Sequence, residues 1–327
     1  MQNSSLPNGA TPKLVTVFGG SGFVGRYVVR ALAERGYQIR VAVRRPDLTI
    51  HLQPLGNVGQ IKAVQANLRY RDSVDAAVQG ADAVVNLVGL LQENGKQQFD
   101  AVHEFGARAV AEAARAVGAP LIHLSAIGAD LESPSEYGKS KAKGEKAVLE
   151  TSKSSIIMRP SIIFGQEDGF FNRFAAMARI SPVLPLIGGG QTKLQPVYVG
   201  DVAKAIVAAI EGKATNGKIY ELGGPEVLTF RECIEMMIVE ISRKRLLLSL
   251  PWFVSRTIAK MVGWLPYAPI TSDQVAMLGV DNVVSSEAIR GKRTLSALGI
   301  QPKSLKAILP SYLVTYRPHG QFLQRDA

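Results

Sequence analysis

A tyrosine and a lysine four residues apart are suited to proton transfer. Tyr137 and Lys141 have this spacing in the stretch EYGKSKAKGE, residues 136–145. On a helix they would lie one turn apart on the same face. An isolated tyrosine has a pKa of ~10, too high for acid–base catalysis near neutral pH. A lysine cation ~4 Å away contributes ~4 kcal/mol at an effective dielectric of ~20, so we expect Lys141 to lower the pKa of Tyr137 by ~3 units.

Ser125 gives this pair its context, because the Tyr–Lys spacing alone arises easily by chance. Ser125 closes the apolar run Pro120–Leu124, which predicts a strand, and a helical segment then carries Tyr137 and Lys141. A serine hydroxyl at that place is suited to orienting a carbonyl group. The alternative is an exposed pair of helix residues without a chemical role.

Three glycines near the start of the sequence predict a binding site for the diphosphate of a dinucleotide. Gly19, Gly22 and Gly25 lie between an apolar, β-branched run, Leu14–Phe18, and a helical periodicity over Phe23–Leu32. The run predicts a buried parallel strand. Glycine lets the chain reverse sharply and lets a diphosphate approach the N–H groups at the helix N-terminus. A tight turn that binds nothing is the alternative.

The second strand, Ile39–Val43, is followed by two arginines, Arg44 and Arg45. NAD sites usually place an acid here to bind the ribose hydroxyls, whereas a guanidinium can bind the 2′-phosphate of NADP with two hydrogen bonds. The sequence therefore favours NADP(H) over NAD(H). For Arg45 a solvated loop charge remains an alternative.

The first half of the chain alternates strands with helices. Further strands are predicted at Ile61–Val64, Ala83–Val88 and Pro120–Leu124, and helices at Asp72–Val78 and Asp100–Val117. This alternation implies right-handed crossovers and a parallel sheet that binds ligands at the carboxyl ends of its strands. Gly19, Arg44, Asn67, Gly89 and Ser125 all follow such ends. We predict an α/β fold, a Rossmann-type doubly wound parallel sheet with a smaller C-terminal α/β lobe.

The second half gives weaker patterns. Phe171, Phe174 and Met177 share a helix face that we expect to pack in a core. The remaining predicted elements are strands at Ser155–Met158, Leu194–Val199 and Ile219–Leu222, a helix Val202–Ile210 capped by Asp201, and a helix Phe230–Ser242 capped by Thr229. The predicted domains are a Rossmann domain at 13–165 and a lobe at 166–317, with 193–211 returning to the first domain. A flexible tail at 1–12 and an arm at 318–327 flank them.

Composition limits the classes of protein that fit. The chain has 327 residues, a formal net charge of +11 and one cysteine, Cys233, so no internal disulfide forms and a reducing compartment is expected. No run reaches the ~20 apolar residues of a membrane span, the N-terminal residues show neither an apolar signal core nor an Arg-rich amphipathic helix, and the histidines have no metal-ligand spacing. We predict neither a membrane span nor a metal site. RNA binding by the basic surface is disfavoured, because aromatic RNA-recognition motifs are absent.

Residues 243–270 differ from the rest of the second half. Basic residues flank an apolar segment with Trp252 and Trp264, and Arg256 and Lys260 share one helix face. Such a segment can lie on an anionic lipid surface or pack against a partner. The lid of a substrate domain is the alternative.

Several motifs together resemble the extended and atypical short-chain dehydrogenases. GGSGFVG, VAVRRP, VVNLVG, HLSAIG and the pair Tyr137 and Lys141 carry this likeness. RPSIIFGQEDGFFNRFA, LQPVYVGDVAKAI and ELGGPEVLTFRE resemble one branch more narrowly. That branch comprises the NAD(P)H-binding accessory subunits of respiratory complex I, NADH:ubiquinone oxidoreductase, in mitochondria and α-proteobacteria.

The resemblance implies a tightly held NADPH with a mainly structural or assembly role. It also implies a peripheral position on the cytoplasmic face of a bacterial inner membrane, among other complex I subunits. The expected nucleotide ligands are Gly19, Gly22, Phe23, Val24, Gly25, Arg44, Arg45, Asn67, Val88, Gly89, Ser125, Tyr137, Lys141 and Pro160.

The alternative function is an active NADPH-dependent reductase or epimerase that acts on a small carbonyl compound. In that case Ser125, Tyr137 and Lys141 would be catalytic. The sequence departs from the family at two places. Asn67 stands where many extended members have an acid, and Ala126 stands where many active members have Ser or Thr.

Overall fold

The computed structural model describes residues 13–93, 95, 97–262, 271–318 and 320. Within them the chain forms two compact units. The first comprises 13–160, Gly200–Glu221 and Glu287–Ile300, and the second comprises Ser161–Val199, Leu222–Ser286 and 301–318. The predicted tail 1–12, Trp264 and nearly all of the predicted arm 318–327 lie outside the described residues.

The strands are β1 (Leu14–Phe18), β2 (Gln38–Val43), β3 (Ile61–Gln65), β4 (Ala83–Asn86), β5 (Leu121–Leu124), β6 (Ile156–Pro160), β7 (Ile163–Phe164), β8 (Val183–Ile187), β9 (Lys193–Leu194), β10 (Val197–Tyr198), β11 (Ile219–Leu222), β12 (Leu228–Thr229) and β13 (Leu246–Leu250). The helices are α1 (Phe23–Glu34), α2 (Arg71–Val78), α3 (Gly106–Ala116), α4 (Glu136–Thr151), α5 (Phe171–Ile180), α6 (Val199–Ile210), α7 (Phe230–Glu240), α8 (Trp252–Val262), α9 (Ser272–Met277), α10 (Ser286–Arg290), α11 (Leu305–Ile308) and α12 (Pro310–Leu313). A turn of π-helix, Asp100–Phe105, directly precedes α3. Short 3₁₀ segments lie at Pro46–Leu55, Gly188–Gly190, Ser296–Leu298 and Val314–Tyr316.

Seven strands form one parallel sheet in the order β11-β6-β5-β4-β1-β2-β3. β1 pairs with β2 on one side and with β4 on the other. The strand order therefore reverses between β1 and β4, the switch point at which doubly wound sheets bind ligands. The predicted Rossmann-type doubly wound sheet is confirmed.

Apolar residues on both faces explain why these strands are parallel and buried. Every residue of β4 and β5 is buried, as expected for a sheet with helices on both sides. The alanines of α3 allow that helix to pack closely against the sheet, where Val110 and Ala111 join Val84 and Leu121 in one core.

Two predicted elements in this unit have different ends. The strand predicted at Ala83–Val88 stops at Asn86, whose side chain accepts a hydrogen bond from the Val88 N–H at 3.1 Å and so turns the chain away. The helix predicted at Asp100–Val117 begins with the π-helical turn and ends at Ala116.

The second unit packs three two-stranded sheets with helices. The pairs are β10 with β7, β12 with β9, and β13 with β8. Its core contains Phe171 and Cys233, with Phe174 and Met177 packed against it, so the predicted core role of the aromatic helix face is confirmed. Burial raises the pKa of the Cys233 thiol to about 12.

Two helix starts in the second half test the capping predictions. Thr229 caps α7 with a capping box to Glu232, as predicted, although the helix ends at Glu240. Asp201 is not the residue before the helix as predicted: α6 begins at Val199, and Asp201 lies inside its first turn, 3.2 Å from Lys204. The predicted strand Leu194–Val199 is split into β9 and β10, because Pro196 between them has no N–H to donate to a ladder.

The described residues contain no helix that is both long and apolar enough to span a membrane. They also contain no group of three or more His, Cys, Asp or Glu side chains arranged to hold a metal ion.

Candidate nucleotide-binding site

The turn between β1 and α1 has the geometry of a diphosphate cradle. Gly19 has a φ of +77°, which favours glycine, and its N–H donates to the Ala42 carbonyl at 3.2 Å. Gly22 precedes the helix and has no side chain to cap it. The first N–H groups of α1, including those of Phe23 and Val24, therefore point toward an anion site with the positive end of the helix dipole.

Gly25 allows α1 to pack closely on the turn. A Cβ atom at this position would collide with the Gly19 carbonyl and would lie 2.6 Å from the Gly20 Cα. Gly20 is restricted as well, since its Cβ would lie 2.8 Å from Val41 Cγ1. Gly20 is not among the residues that the sequence predicts for the site, although its place inside GGSGFVG is a usable signal.

The predicted ligands follow the strands at one edge of the sheet. Gly19 follows β1, Arg44 follows β2, Asn67 comes shortly after β3, Gly89 shortly after β4, and Ser125 follows β5. Because these strands are parallel neighbours, all five residues lie at the carboxyl edge.

The two arginines after β2 differ in their partners. Arg45 binds Asp47 through Nε and Nη2 at 3.0 and 2.8 Å, on the exposed surface. Arg44 is exposed and has no hydrogen bond or ion pair with any residue that the structure describes. Within the described residues the Arg44 guanidinium is therefore uncommitted, whereas Arg45 forms a surface ion pair with Asp47.

Two polar groups of Asn67 form hydrogen bonds within its own loop. Its Oδ1 accepts a hydrogen bond from the Arg69 N–H at 3.2 Å, and its backbone N–H donates to Ser73 Oγ at 3.0 Å. The amide Nδ2 thus remains the group that can donate to an adenine ring.

Ser125 is the clearest indication of a ligand-binding group among the described residues. It is 4% exposed, and no described atom hydrogen-bonds its Oγ. Its backbone is fixed, because its N–H donates to the Met158 carbonyl at 2.7 Å. A buried hydroxyl without a partner costs about 1–3 kcal/mol, so a bound molecule is the natural recipient of this hydrogen bond.

Tyr137 and Lys141 lie one turn apart on α4, as predicted. Ser135 caps this helix by accepting from the Gly138 N–H at 2.9 Å. Lys141 is 4% exposed, and its Nζ donates to the Leu124 carbonyl at 2.7 Å, which brings it to the end of β5 beside Ser125. Tyr137 is half-buried.

The predicted lowering of the tyrosine pKa is wrong. Burial raises the pKa of Tyr137 to about 12. Burial also lowers the pKa of Lys141 to about 8, and the nearby Glu145 carboxylate partly opposes this change. Desolvation disfavours the charged form of each side chain, and this effect exceeds the attraction between phenolate and ammonium that the sequence argument assumed.

Val88, Gly89 and Pro160 shape the same edge. A Cβ at Gly19 would lie 3.2 Å from Val88 Cγ2, so Val88 packs on the glycine turn. A Cβ at Gly89 would lie 3.9 Å from Lys141 Nζ, which shows that Gly89 faces the lysine. Pro160 is buried and its carbonyl accepts a hydrogen bond from the Ile127 N–H at 2.9 Å, so it supports the loop after Ser125.

Three buried polar residues beside the site were missed by the sequence analysis: Asn86, His103 and His123. The Asn86 amide lies 3.2 Å from His123 Nδ1, across neighbouring strands. Burial lowers the pKa of His123 well below its usual value. A polar residue at the end of the buried run AVVN was a usable signal for Asn86, whereas nothing in the sequence distinguished His103 from a surface histidine.

Comparison with known proteins agrees with this geometry. The model of the NAD dependent epimerase/dehydratase family matches residues 15–223. The chain belongs to this family. One solved structure with the same fold, titled "Crystal structure of gox2253", superposes with a TM-score of 0.73 at 22% identity, covering 94% of this chain and 99% of that chain.

Two relatives of the chain illustrate two kinds of name, a respiratory subunit and a reductase. A protein of Arabidopsis thaliana, "NADH dehydrogenase (ubiquinone) 1 alpha subcomplex subunit 9, mitochondrial", is 36% identical over 321 residues, which cover 94% of this chain and 79% of the relative. The "Ceramide reductase" of Caulobacter vibrioides is 35% identical over 195 residues, which cover 60% of each chain. The expected likeness to complex I accessory subunits is confirmed.

Proposed function

We propose that the protein is an accessory subunit of respiratory complex I that holds NADPH tightly in its first unit, with a mainly structural or assembly role. The similarity to a subunit of NADH dehydrogenase over nearly the whole chain carries this proposal. The tyrosine supports a holding role rather than turnover, because a group with a pKa of about 12 is poorly matched to proton transfer near neutral pH.

Isolation of the protein with its partners tests this function. A tagged chain is expressed at native level in its source cell, recovered from detergent-solubilised membranes, and extracted for nucleotide. We expect a large complex with NADH:ubiquinone oxidoreductase activity and about one NADPH per tagged chain. Recovery of the tagged chain alone, without other subunits, would contradict the proposal.

The cofactor is proposed to be NADPH because Arg44 follows β2, is exposed, and has no hydrogen bond or ion pair with any described residue, which leaves its guanidinium available for the extra phosphate. Charge-assisted hydrogen bonds contribute about 1.5–3 kcal/mol, so Arg44→Asp should weaken NADPH binding by about 10- to 100-fold and NADH binding much less. Arg45→Asp is the matched control and should have a small effect on both, since Arg45 already binds Asp47. Titration of both nucleotides against each variant measures this, and equal losses of NADPH and NADH in Arg44→Asp would refute the assignment.

A peripheral position on the cytoplasmic face of a bacterial inner membrane follows from the same proposal. The segment Leu246–Val262 supports contact with anionic lipid. Phe253 is 72% exposed and Met261 is 69% exposed, and the exposed cations Arg256 and Lys260 lie on the same helix, α8. Co-sedimentation with vesicles that contain an anionic lipid tests this contact, and absence of binding at low salt would remove it.

A second candidate function is an NADPH-dependent reductase, and two observations favour it. The Ser125 hydroxyl has no partner among the described residues, and a named ceramide reductase is among the relatives. Under this alternative the isolated protein would oxidise NADPH with a carbonyl substrate, and Tyr137→Phe would abolish the reaction. Absence of turnover over a panel of ketones and aldehydes would favour the structural role.

A further inference from the structure

His103 is a buried histidine that connects two elements of the site. It lies in the π-helical turn before α3 and is 2% exposed. Its Nε2 accepts a hydrogen bond from the Leu90 N–H at 2.9 Å, in the loop after β4. Its Nδ1 lies 2.8 Å from Ser140 Oγ, and Ser140 donates to the Tyr137 carbonyl at 2.7 Å. The ring thus joins the loop after β4 to the turn of α4 that carries Tyr137.

The hydrogen-bond partners determine the protonation of the ring. An amide N–H can only donate, so Nε2 accepts from Leu90 and carries no proton. The hydroxyl hydrogen of Ser140 is directed to the Tyr137 carbonyl, so Nδ1 carries the ring hydrogen and donates to Ser140 Oγ. Burial and then the charge of Lys141 lower the pKa of His103 to about 3, so the ring is neutral at physiological pH.

Packing holds the ring against the face of the site. The Tyr137 ring meets it edge-on, with centroids 5.7 Å apart. A Cβ at Gly89 would lie 3.6 Å from His103 Nε2 and 3.9 Å from Lys141 Nζ, so these three residues meet. α4 approaches the π-helical turn this closely because Gly144 has no side chain, and a Cβ there would collide with the His103 carbonyl.

We propose that His103 is a positioning residue for the nicotinamide half of the bound dinucleotide, an inference that rests on the proposed NADPH binding. In a doubly wound sheet the diphosphate at α1 separates the two halves of the ligand, with the adenine half toward β2 and β3. The nicotinamide half then lies toward β4 and β5, between Gly89 and the α4 face with Tyr137 and Lys141. His103 holds these two walls at a fixed separation and transfers no proton.

Two substitutions separate the two hydrogen bonds of the ring. The amide of His103→Asn can replace Nδ1 toward Ser140 but is too short to reach the Leu90 N–H. The longer amide of His103→Gln can place its Oε1 near the former Nε2 and accept from Leu90. Each full-length variant is titrated with NADPH and with adenosine 2′,5′-bisphosphate, which carries the adenine and the 2′-phosphate but no nicotinamide.

We expect His103→Asn to weaken NADPH binding about tenfold, because the lost hydrogen bond to Leu90 no longer holds the loop after β4 in its binding position, and to change bisphosphate binding by less than about twofold. His103→Gln should recover most of the NADPH affinity. Ser140→Ala, a smaller change that keeps the test informative if His103→Asn does not fold, should weaken NADPH alone by about threefold. Selective loss of NADPH with rescue by glutamine is the result that a purely structural role would not produce.

The opposite results are equally clear. Equal losses of both ligands in His103→Asn and in Ser140→Ala would show a general structural role and overturn the inference. Unchanged NADPH affinity in both variants would overturn it as well. If the wild-type chain binds neither ligand, the proposed nucleotide function fails and this inference fails with it. If the wild-type chain binds both ligands but the variants do not lose NADPH selectively, only this inference fails.

Discussion

Two buried serines in the first unit allow a binding role to be separated from a packing role. The Oγ atoms of Ser125 and Ser155 both lack a hydrogen-bond partner among the described residues, but only Ser125 lies at the carboxyl edge of the sheet. Ser125→Ala and Ser155→Ala should each raise the free energy of unfolding of the nucleotide-free protein by about 1 kcal/mol. Only Ser125→Ala should weaken NADPH binding, by about two- to tenfold, because it removes one hydrogen bond.

Denaturant unfolding and nucleotide titration measure these two effects on the same samples. If Ser155→Ala weakened NADPH binding as much as Ser125→Ala, the unpaired hydroxyl of Ser125 would not indicate a ligand contact.

The buried ammonium of Lys141 predicts a pH-dependent stability. Its pKa in the folded chain is about 8, against 10.5 for an exposed lysine, so the unfolded chain binds the proton more tightly. Stability is reduced below pH 8 and recovers as the pH rises toward 10.5. Relative to Lys141→Met, the wild type should therefore gain about 2 kcal/mol between pH 7 and pH 9.5. Urea unfolding at both pH values measures this gain, and a constant difference between the two proteins would disprove it.

Single residues show where sequence reasoning succeeds and where it does not. The glycine turn and the shared helix face of Tyr137 and Lys141 could be predicted from the sequence, because local geometry restricts the residue types at these positions. The direction of the Tyr137 pKa shift could not be predicted, because desolvation depends on how deeply α4 packs. The sequence around Asp47 does not show which of the two arginines its carboxylate binds, and only the structure shows that Arg45 is the partner.

Helix α1 depends on one residue for its position on the turn. A Cβ at Gly25 would lie 2.6 Å from the Gly20 Cα, and no rotation of a side chain relieves a collision with backbone. Gly25→Ala should lower the free energy of unfolding by about 1–3 kcal/mol and should abolish most NADPH binding, because the helix N-terminus moves away from the diphosphate. Gly169→Ala is the control, since a Cβ there meets nothing within 4 Å.

Thermal unfolding with and without NADPH distinguishes the two glycines. A Gly25→Ala protein that is still stabilised by NADPH to the wild-type extent would show that the turn does not hold the diphosphate.

At the scale of elements, the alternation of apolar runs and helical periodicity was sufficient to predict the first unit. β1 and β11 have the predicted ends, and several of their neighbours differ by one or two residues. The composition of Asp100–Phe105 does not predict its π-helical turn, which lies where Gly144 of α4 packs against the His103 carbonyl. The predicted start of α6 after Asp201 was wrong because an aspartate also fits inside the first turn of a helix, where its charge favours the positive end of the dipole.

At the scale of the molecule, periodicity shows which residues are buried but not which unit they join. The sequence predicts that 193–211 returns to the first domain, whereas Gly200–Glu221 and also Glu287–Ile300 belong to the first unit. The second of these returns is held by a backbone hydrogen bond from the Glu221 N–H to the Arg293 carbonyl at 2.9 Å. Such a long-range pairing leaves no local signature in a single sequence.

The core of the second unit also contains a natural chemical reporter. Cys233 is completely buried, and it is the only cysteine of the chain. Alkylating reagents attack the thiolate, so iodoacetamide should label the native protein only as fast as this core opens. Mass spectrometry can follow the rate of Cys233 labelling at increasing urea concentrations. This rate reports the opening of the second unit without any engineered probe. Immediate labelling in buffer would show that this core opens freely.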